Sequence, residues 1–339
     1  LVGGFVSLTS TDSKDLICPK DLDLKSSIDW IGRLDKLPGS RQYDLNFEQL
    51  DFVKPFGALF VPMQIRRIEE SKDISFEFCN LNLEYAKGIG FLNLLTMRNH
   101  YEPSYFRGGS SYLPISEIKL IDLYEKSESG TEYGKLADDE SKRLAGILFS
   151  NDSNNAKEQF AYSLREVMRN VFEHAKVSNL FCCGQRYPQR GVAEICIADL
   201  GQGVLNGLKE NRKYLDLSSD IEALKEAVKP GVSGKEGCGM GGDWDNSGYG
   251  LYMNYKLGGN NGYFVIASGC GLFASVEGKD LTGGIPYLKG TIVSLLVNLQ
   301  SKLPLNEQLA QFSREAQDVF DKENPGKRVI ISPSSMNKI

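Results

Sequence analysis

The sequence is short of histidine, of paired cysteines, of basic excess and of long apolar runs, and each shortage closes off a class of function. Only two histidines, His100 and His174, occur among 339 residues. The seven cysteines, Cys18, Cys79, Cys182, Cys183, Cys196, Cys238 and Cys270, form no CxxC pair. A tetrahedral zinc site therefore has too few plausible ligands. An odd number of thiols with two of them adjacent fits reduced cysteines in a cytoplasmic protein better than a disulfide framework. The formal net charge of -5 argues against a dedicated nucleic-acid binder, whose footprint is a basic excess. It leaves open a polyanionic ligand held through backbone groups. No stretch has the length and apolarity of a membrane span. The opening LVGGFVSLTS lacks the basic region and long apolar core of a signal peptide.

What is present suits a globular chain of two domains. It is 41% hydrophobic and 24% charged, enough to bury a sizeable core. Residues 1–42 show no clear period. Residues 43–96 follow a βαβα rhythm and form a small α/β module. In it, Leu50–Val53 reads as a short strand, Pro55-Phe56-Gly57 as a turn, 58–70 as a helix, Ile74–Cys79 as an alternating strand and 83–95 as a second helix. Residues 97–153 are polar and rich in Gly, Ser and charge, and are expected to be a linker with short elements. A third region, 154–300, opens on a strong helix. Two strands, a long glycine-rich loop, another helix and three strands follow. Residues 301–339 hold one amphipathic helix, 305–321, and a frayed tail.

Chemistry concentrates in the third region. In the helix 160-FAYSLREVMRNVFEHAKV-177, Glu166, Asn170 and His174 share one face at i, i+4, i+8, opposite an apolar stripe of Leu164, Val167, Met168 and Val171. A carboxylate can accept a proton from a water or hydroxyl. A carboxamide oxygen one turn away is a hard neutral ligand for Mg²⁺. Taken alone, the same stripe also reads as a solvated polar face. The strand from Val192 runs into Asp199-Leu200-Gly201-Gln202-Gly203, where an acid at a strand end can accept from an exocyclic amine and the glycines let a flat ligand approach. A plain glycine turn is the other reading. The stretch 228–259 is glycine-dense and enters a helix at Gly248-Tyr249-Gly250-Leu251, a pattern that presents backbone N–H groups to phosphate. A mobile surface loop is its other reading. Gly237 to Gly242 fits GxGxxG, but no strand leads into it. Gly234-Lys235 is followed by Glu236, so it is not a P-loop. Lys235 reads either as a phosphate contact or as a solvated lysine. A last strand, 289–299, enters through Thr291.

In this order and spacing, the four segments resemble the GHKL ATPase superfamily of gyrase, large heat-shock chaperones, histidine kinases and mismatch-repair ATPases. The match spans Gln159 to Leu299. The resemblance implies a Bergerat-type α/β sandwich, a mixed sheet with helices on one face, binding ATP and Mg²⁺. It casts Glu166 as the general base and Asn170 as the Mg²⁺ ligand. Asp199, Gly201 and Gly203 become the adenine-reading box, and Gly248, Gly250 and Leu251 the start of the phosphate lid. Thr291 becomes the support of the adenine-reading acid, and His174 falls in the same nucleotide box as Asn170. The run Glu166 to Ala175 looks closest to anti-sigma-factor serine kinases, with Val171 replacing a small residue. A sensor histidine kinase needs a phosphoacceptor helix that His100 does not supply. A gyrase-type machine needs a transducer domain, for which only about forty residues follow Leu299. Residues 43–96 are similar to STAS domains, but Lys54, Pro55 and Phe56 stand where a switch carries Asp and Ser. The expected function is a Mg²⁺-dependent ATPase acting as a switch on a protein partner. The alternatives are a protein serine/threonine kinase and a non-catalytic ATP sensor. The expected protein is cytoplasmic, without nucleic-acid or membrane partners. Its helix 305–321 packs either on its own domain or on a second copy in a homodimer.

Overall fold

A computed structural model describes residues 16–81, 84–96, 111–125, 127, 133–149, 154–235 and 248–323. The fold class is α/β, and the chain divides into two compact units, Leu1–Glu102 and Pro103–Ile339.

The first unit runs β1 (Asp21–Leu22), α1 (Leu24–Leu34), β2 (Gln42–Asn46), β3 (Phe52–Val53), α2 (Pro55–Lys72), β4 (Ser75–Cys79), α3 (Glu84–Gly88) and α4 (Phe91–Thr96). Two parallel pairs form, β1 with β3 and β2 with β4. Each is closed by a helical crossover, as parallel pairing requires. Residues 16–42 belong to this unit although they show no clear period. Helix α1 starts on a reciprocal cap in which the Asp23 side chain accepts from Ser26 N at 3.0 Å and Ser26 Oγ accepts from Asp23 N at 3.0 Å. It buries Ser27, Trp30, Ile31 and Leu34. The turn expected at Pro55-Phe56-Gly57 is instead the first turn of α2. Proline is favoured at that position because its missing N–H would be unpaired anyway. Gly57 is there for contact rather than for turning, since a Cβ on it would collide with the Leu22 carbonyl. The single helix expected over 83–95 is two short ones, interrupted at Gly90 with φ 83°.

The second unit runs β5 (Tyr112–Lys119), α5 (Leu120–Glu125), α6 (Tyr133–Leu148), α7 (Asn154–His174), β6 (Asn179–Tyr187), β7 (Val192–Asp199), α8 (Gly203–Leu208), α9 (Asp220–Ala227), α10 (Gly250–Asn260), β8 (Tyr263–Val276), β9 (Lys279–Asn298) and α11 (Leu305–Glu323). Its sheet has the order β5-β6-β7-β9-β8, and every described pair is antiparallel where a mixed sheet was expected. The expected linker over 97–153 is not one in its described part. Strand β5 pairs with β6, and Leu136, Ala137, Leu144, Ala145 and Leu148 of α6 are buried in the core. The three strands expected after the second helix are two long ones. They join through Glu277 and Gly278, both in the left-handed region at φ 50° and 75°, as a tight hairpin turn requires. Glycines at 269, 271, 283 and 284 sit within the ladder, two of them beside register shifts.

The core lies between one face of the sheet and the helices. Ala193, Ile195 and Ile197 of β7 and Val293, Leu295 and Val297 of β9 share a cluster with Phe160, Leu164, Val167, Met168 and Val171 of α7. Leu224 of α9 and Leu251 and Tyr255 of α10 join it. Helix α11 packs on its own unit: Leu305, Leu309, Phe312 and Ala316 meet Tyr162, Tyr249, Tyr252, Met253 and Leu257. Among the described residues, no helix is long and apolar enough to cross a membrane.

Candidate functional site

Because the apolar stripe of α7 seats on the sheet, its polar stripe turns into a cavity bounded by β7, β9, α8 and the start of α10. Glu166, Asn170 and His174 line it together, with Val167, Val171 and Ala175 beside them. Glu166 is 4% exposed. Its Oε1 accepts from Arg165 Nε at 3.1 Å and Nη2 at 2.8 Å, with Arg169 Nη1 at 3.9 Å. Its Oε2 faces Gly250 so closely that a Cβ there would collide with it. Asn170 is half-buried. Burial depresses the His174 imidazole below its ordinary value; Glu173 and Glu210 oppose that shift, while Lys235 and Arg169 add to it. The His174 carbonyl accepts from Gln202 Nε2 at 2.7 Å, which ties the end of α7 to the loop after β7.

Asp199 closes β7 on the face that meets the helices. It is 3% exposed, and burial raises its pKa to about 6 against the backbone N–H groups of Gly201 and Thr291, which lower it. Gly201 N donates to Asp199 Oδ1 at 2.7 Å. The glycines of this loop are required by contact. A Cβ on Gly201 would collide with the Ala175 carbonyl, and one on Gly203, at φ 78°, would lie 2.8 Å from Ser268 Oγ. Across the sheet, Asp199 pairs with Thr291 and Thr291 with Ser268, so three strands put three polar side chains in one row. Ser268 has no counterpart in the sequence reading. It is 1% exposed, donates to the Gly290 carbonyl at 2.7 Å and accepts from Val204 N at 3.0 Å, so it stitches the loop after β7 to β9 and β8.

The remaining wall is the glycine-rich stretch. Val232, Ser233 and Gly234 line the cavity, then Gly248, Tyr249, Gly250 and Leu251 at the entry to α10. Gly248 has φ 71°, and a Cβ on it would lie 2.6 Å from the Gly231 carbonyl carbon. Gly237 to Gly242, with Cys238, and Trp244 lie outside the described residues, as does His100. Two short helices that precede this stretch, α8 and α9, add Val204, Gly207, Leu208 and Ala227 to the lining. Their apolar residues Leu208, Ala223 and Ala227 form a small cluster with Tyr214 from the connection between them.

Of the eleven residues singled out in the sequence, nine line this one cavity: Glu166, Asn170, His174, Asp199, Gly203, Gly248, Gly250, Leu251 and Thr291. Gly201 lies behind Asp199 as its hydrogen-bond donor. Lys235 does not line the cavity. Its Nζ pairs with Glu173 at 3.3 Å, and the side chain is 51% exposed. The cavity spans about 1010 Å³ when the open solvent at its mouth is counted. Apolar Val171, Ile197, Ile266 and Val293 line it together with Asp199, and Glu166 lies against Gly250 at the start of α10. A flat ring with one donor edge suits the first group, and an anionic tail suits the glycine backbone. Among the described residues, no group of three or more His, Cys, Asp or Glu side chains is arranged to hold a metal ion. No protein-family model, curated protein or solved structure matches the chain.

Proposed function

We propose that this cavity binds Mg²⁺ and ATP and that the chain hydrolyses the nucleotide as a switch acting on a protein partner. The observation that carries the reading is the meeting, in one cavity, of the buried Asp199 carboxylate, a Glu-Asn pair and the glycine backbone that opens α10. These residues come from segments spread from Glu166 to Thr291. Their order resembles the GHKL ATPases, and their chemistry fits the nucleotide. The Asp199 carboxylate accepts from the exocyclic amine of adenine, and the apolar side chains around it take the ring. The backbone at Gly248 and Gly250, at the N-terminal end of α10, receives phosphate. Asn170 would hold Mg²⁺, which would supply positive charge against the developing negative charge of the phosphates. A magnesium ion that keeps several waters needs few protein ligands, so one carboxamide beside the phosphates is a sufficient donor set.

In hydrolysis, the oxygen of a water forms a bond to the γ-phosphorus while the bond from that phosphorus to the β–γ bridging oxygen breaks. ADP leaves with the electron pair. Glu166 takes the proton of the attacking water. The same geometry serves a partner's serine or threonine hydroxyl in place of water, which is the kinase alternative. The small N-terminal unit, by its STAS-like pattern, is the proposed point of contact for the partner.

Incubation with Mg²⁺ and γ-labelled ATP, alone and with cell extract, tests the reading. Free labelled phosphate that Glu166→Gln abolishes supports the ATPase. Label on a second protein favours the kinase. Bound, intact ATP with neither product leaves the sensor.

A further inference from the structure

Successive positions on a helix point about 100° apart, so a residue and its immediate successor do not ordinarily meet. Arg165 and Glu166 do. The Arg165 side chain wraps across α7 and gives two charge-assisted hydrogen bonds to one oxygen, Oε1 of Glu166. It is held in that pose from two sides. Its guanidinium lies 5.0 Å from the centroid of the Tyr162 ring, one turn earlier on α7. Its Nη1 lies 3.7 Å from Asp138 Oδ1 on α6. Both partners of the clamp are buried, with side chains 10% and 5% exposed.

A buried ion pair is weak evidence for stability, because desolvation of both charges offsets their attraction. This pair has another consequence. With Oε1 occupied, the carboxylate cannot rotate freely, and its remaining oxygen, Oε2, is directed at Gly250, on the cavity wall where α10 begins. We propose that Arg165 is a positioning residue for Glu166. It holds Oε1 so that Oε2 is the oxygen that receives the proton of the attacking water, and Asp138 and Tyr162 hold Arg165 in turn. The inference rests on the ATP-hydrolysing reading of the cavity. It also gives α6, in the segment expected to be a linker, a share in the site.

The test measures kcat for phosphate release and Kd for ATP in the presence of Mg²⁺, on wild type, R165M, R165K, E166Q and the double variant R165M/E166Q. Loss of the clamp is expected to lower kcat about 10- to 100-fold in R165M, the scale of a misplaced catalytic group. Kd for ATP is expected to stay within about 2-fold, because Arg165 holds Glu166 from outside the cavity lining. R165K is expected to recover part of the loss, since a point charge replaces a fork. In the E166Q background, R165M is expected to have no further effect. Should R165M fail to fold, Asp138→Asn weakens the same clamp from outside, with an expected kcat loss of about 3- to 10-fold at unchanged Kd. Wild-type kcat in R165M or, where that variant does not fold, in D138N overturns the inference alone. So does a loss of ATP binding that matches the loss of rate, or a loss of rate that persists in E166Q. Absence of ATP binding or of phosphate release in wild type itself removes the underlying reading and this inference with it.

Discussion

At Asp199 the fold places a carboxylate on the last residue of a buried strand, and burial lifts its pKa to about 6. The folded value lies above the unfolded one, so the protonated form is favoured in the native state. The resulting stability is fully present below the unfolded value, near 3.8, and is lost as the pH rises through about 6. At neutral pH the ionised carboxylate thus costs about 3 kcal/mol. Asp199→Asn removes that cost while keeping an oxygen for Gly201 N. The variant is expected to unfold at higher denaturant than wild type at pH 7, with the advantage growing between pH 4 and pH 6 and flat above. Denaturant titrations of both proteins across that range check it. The same substitution is expected to weaken ATP binding about 100-fold or more, since a site built to accept a hydrogen bond discriminates strongly when its acceptor changes. A second residue-scale expectation concerns Gly250. Alanine there drives its Cβ into Glu166 Oε2. Gly250→Ala is expected to cut phosphate release about 100-fold, measured beside a circular-dichroism spectrum that matches wild type.

The elements differ in how openly the sequence declares them. Helix α7 is legible because apolar residues at helical spacing seat it on the sheet, and that seating turns Glu166, Asn170 and His174 to the cavity. Asp199 is legible because a strand end followed by two glycines is a local pattern. The rest was hidden for physical reasons. Helix α1 starts on Asp23 and Ser26 and not on the usual Glu or Gln partner. Strand β5 carries Pro114, which reads as a strand breaker and is tolerated because the strand lies at the sheet edge. Helices α8 and α9 are only six and eight residues long, too short to show a full helical period, and α8 carries two glycines. Arg165 and Ser268 act through partners set by tertiary contact, Asp138 and Gly290, which no spacing rule connects.

Helix α11 backs α10 through Phe312, whose carbonyl accepts from Tyr252 Oη at 3.3 Å. Phe312→Ala is expected to destabilise the protein by about 3–5 kcal/mol and to raise hydrogen exchange in α10 before α7. Ser268→Ala leaves the Gly290 carbonyl and Val204 N without their shared hydroxyl. It is expected to cost about 1–3 kcal/mol in denaturant unfolding and to weaken ATP binding by loosening the loop that follows Asp199.

At the scale of the whole molecule, the second unit supplies every residue of the cavity. The first supplies a separate α/β body built around the buried helix α2. This division suits a protein in which one part turns over a nucleotide and another meets a partner, as the proposed switch requires. The central claim is that the cavity is an adenine-nucleotide site read by Asp199. Calorimetric titration of the wild-type chain and Asp199→Asn with ATP in the presence of Mg²⁺ tests it most directly. The account predicts saturable one-to-one binding to wild type in the micromolar range, about 100-fold weaker binding or none to the variant, and no comparable affinity of wild type for GTP. Absence of ATP binding to wild type, or equal binding to both proteins, would contradict it.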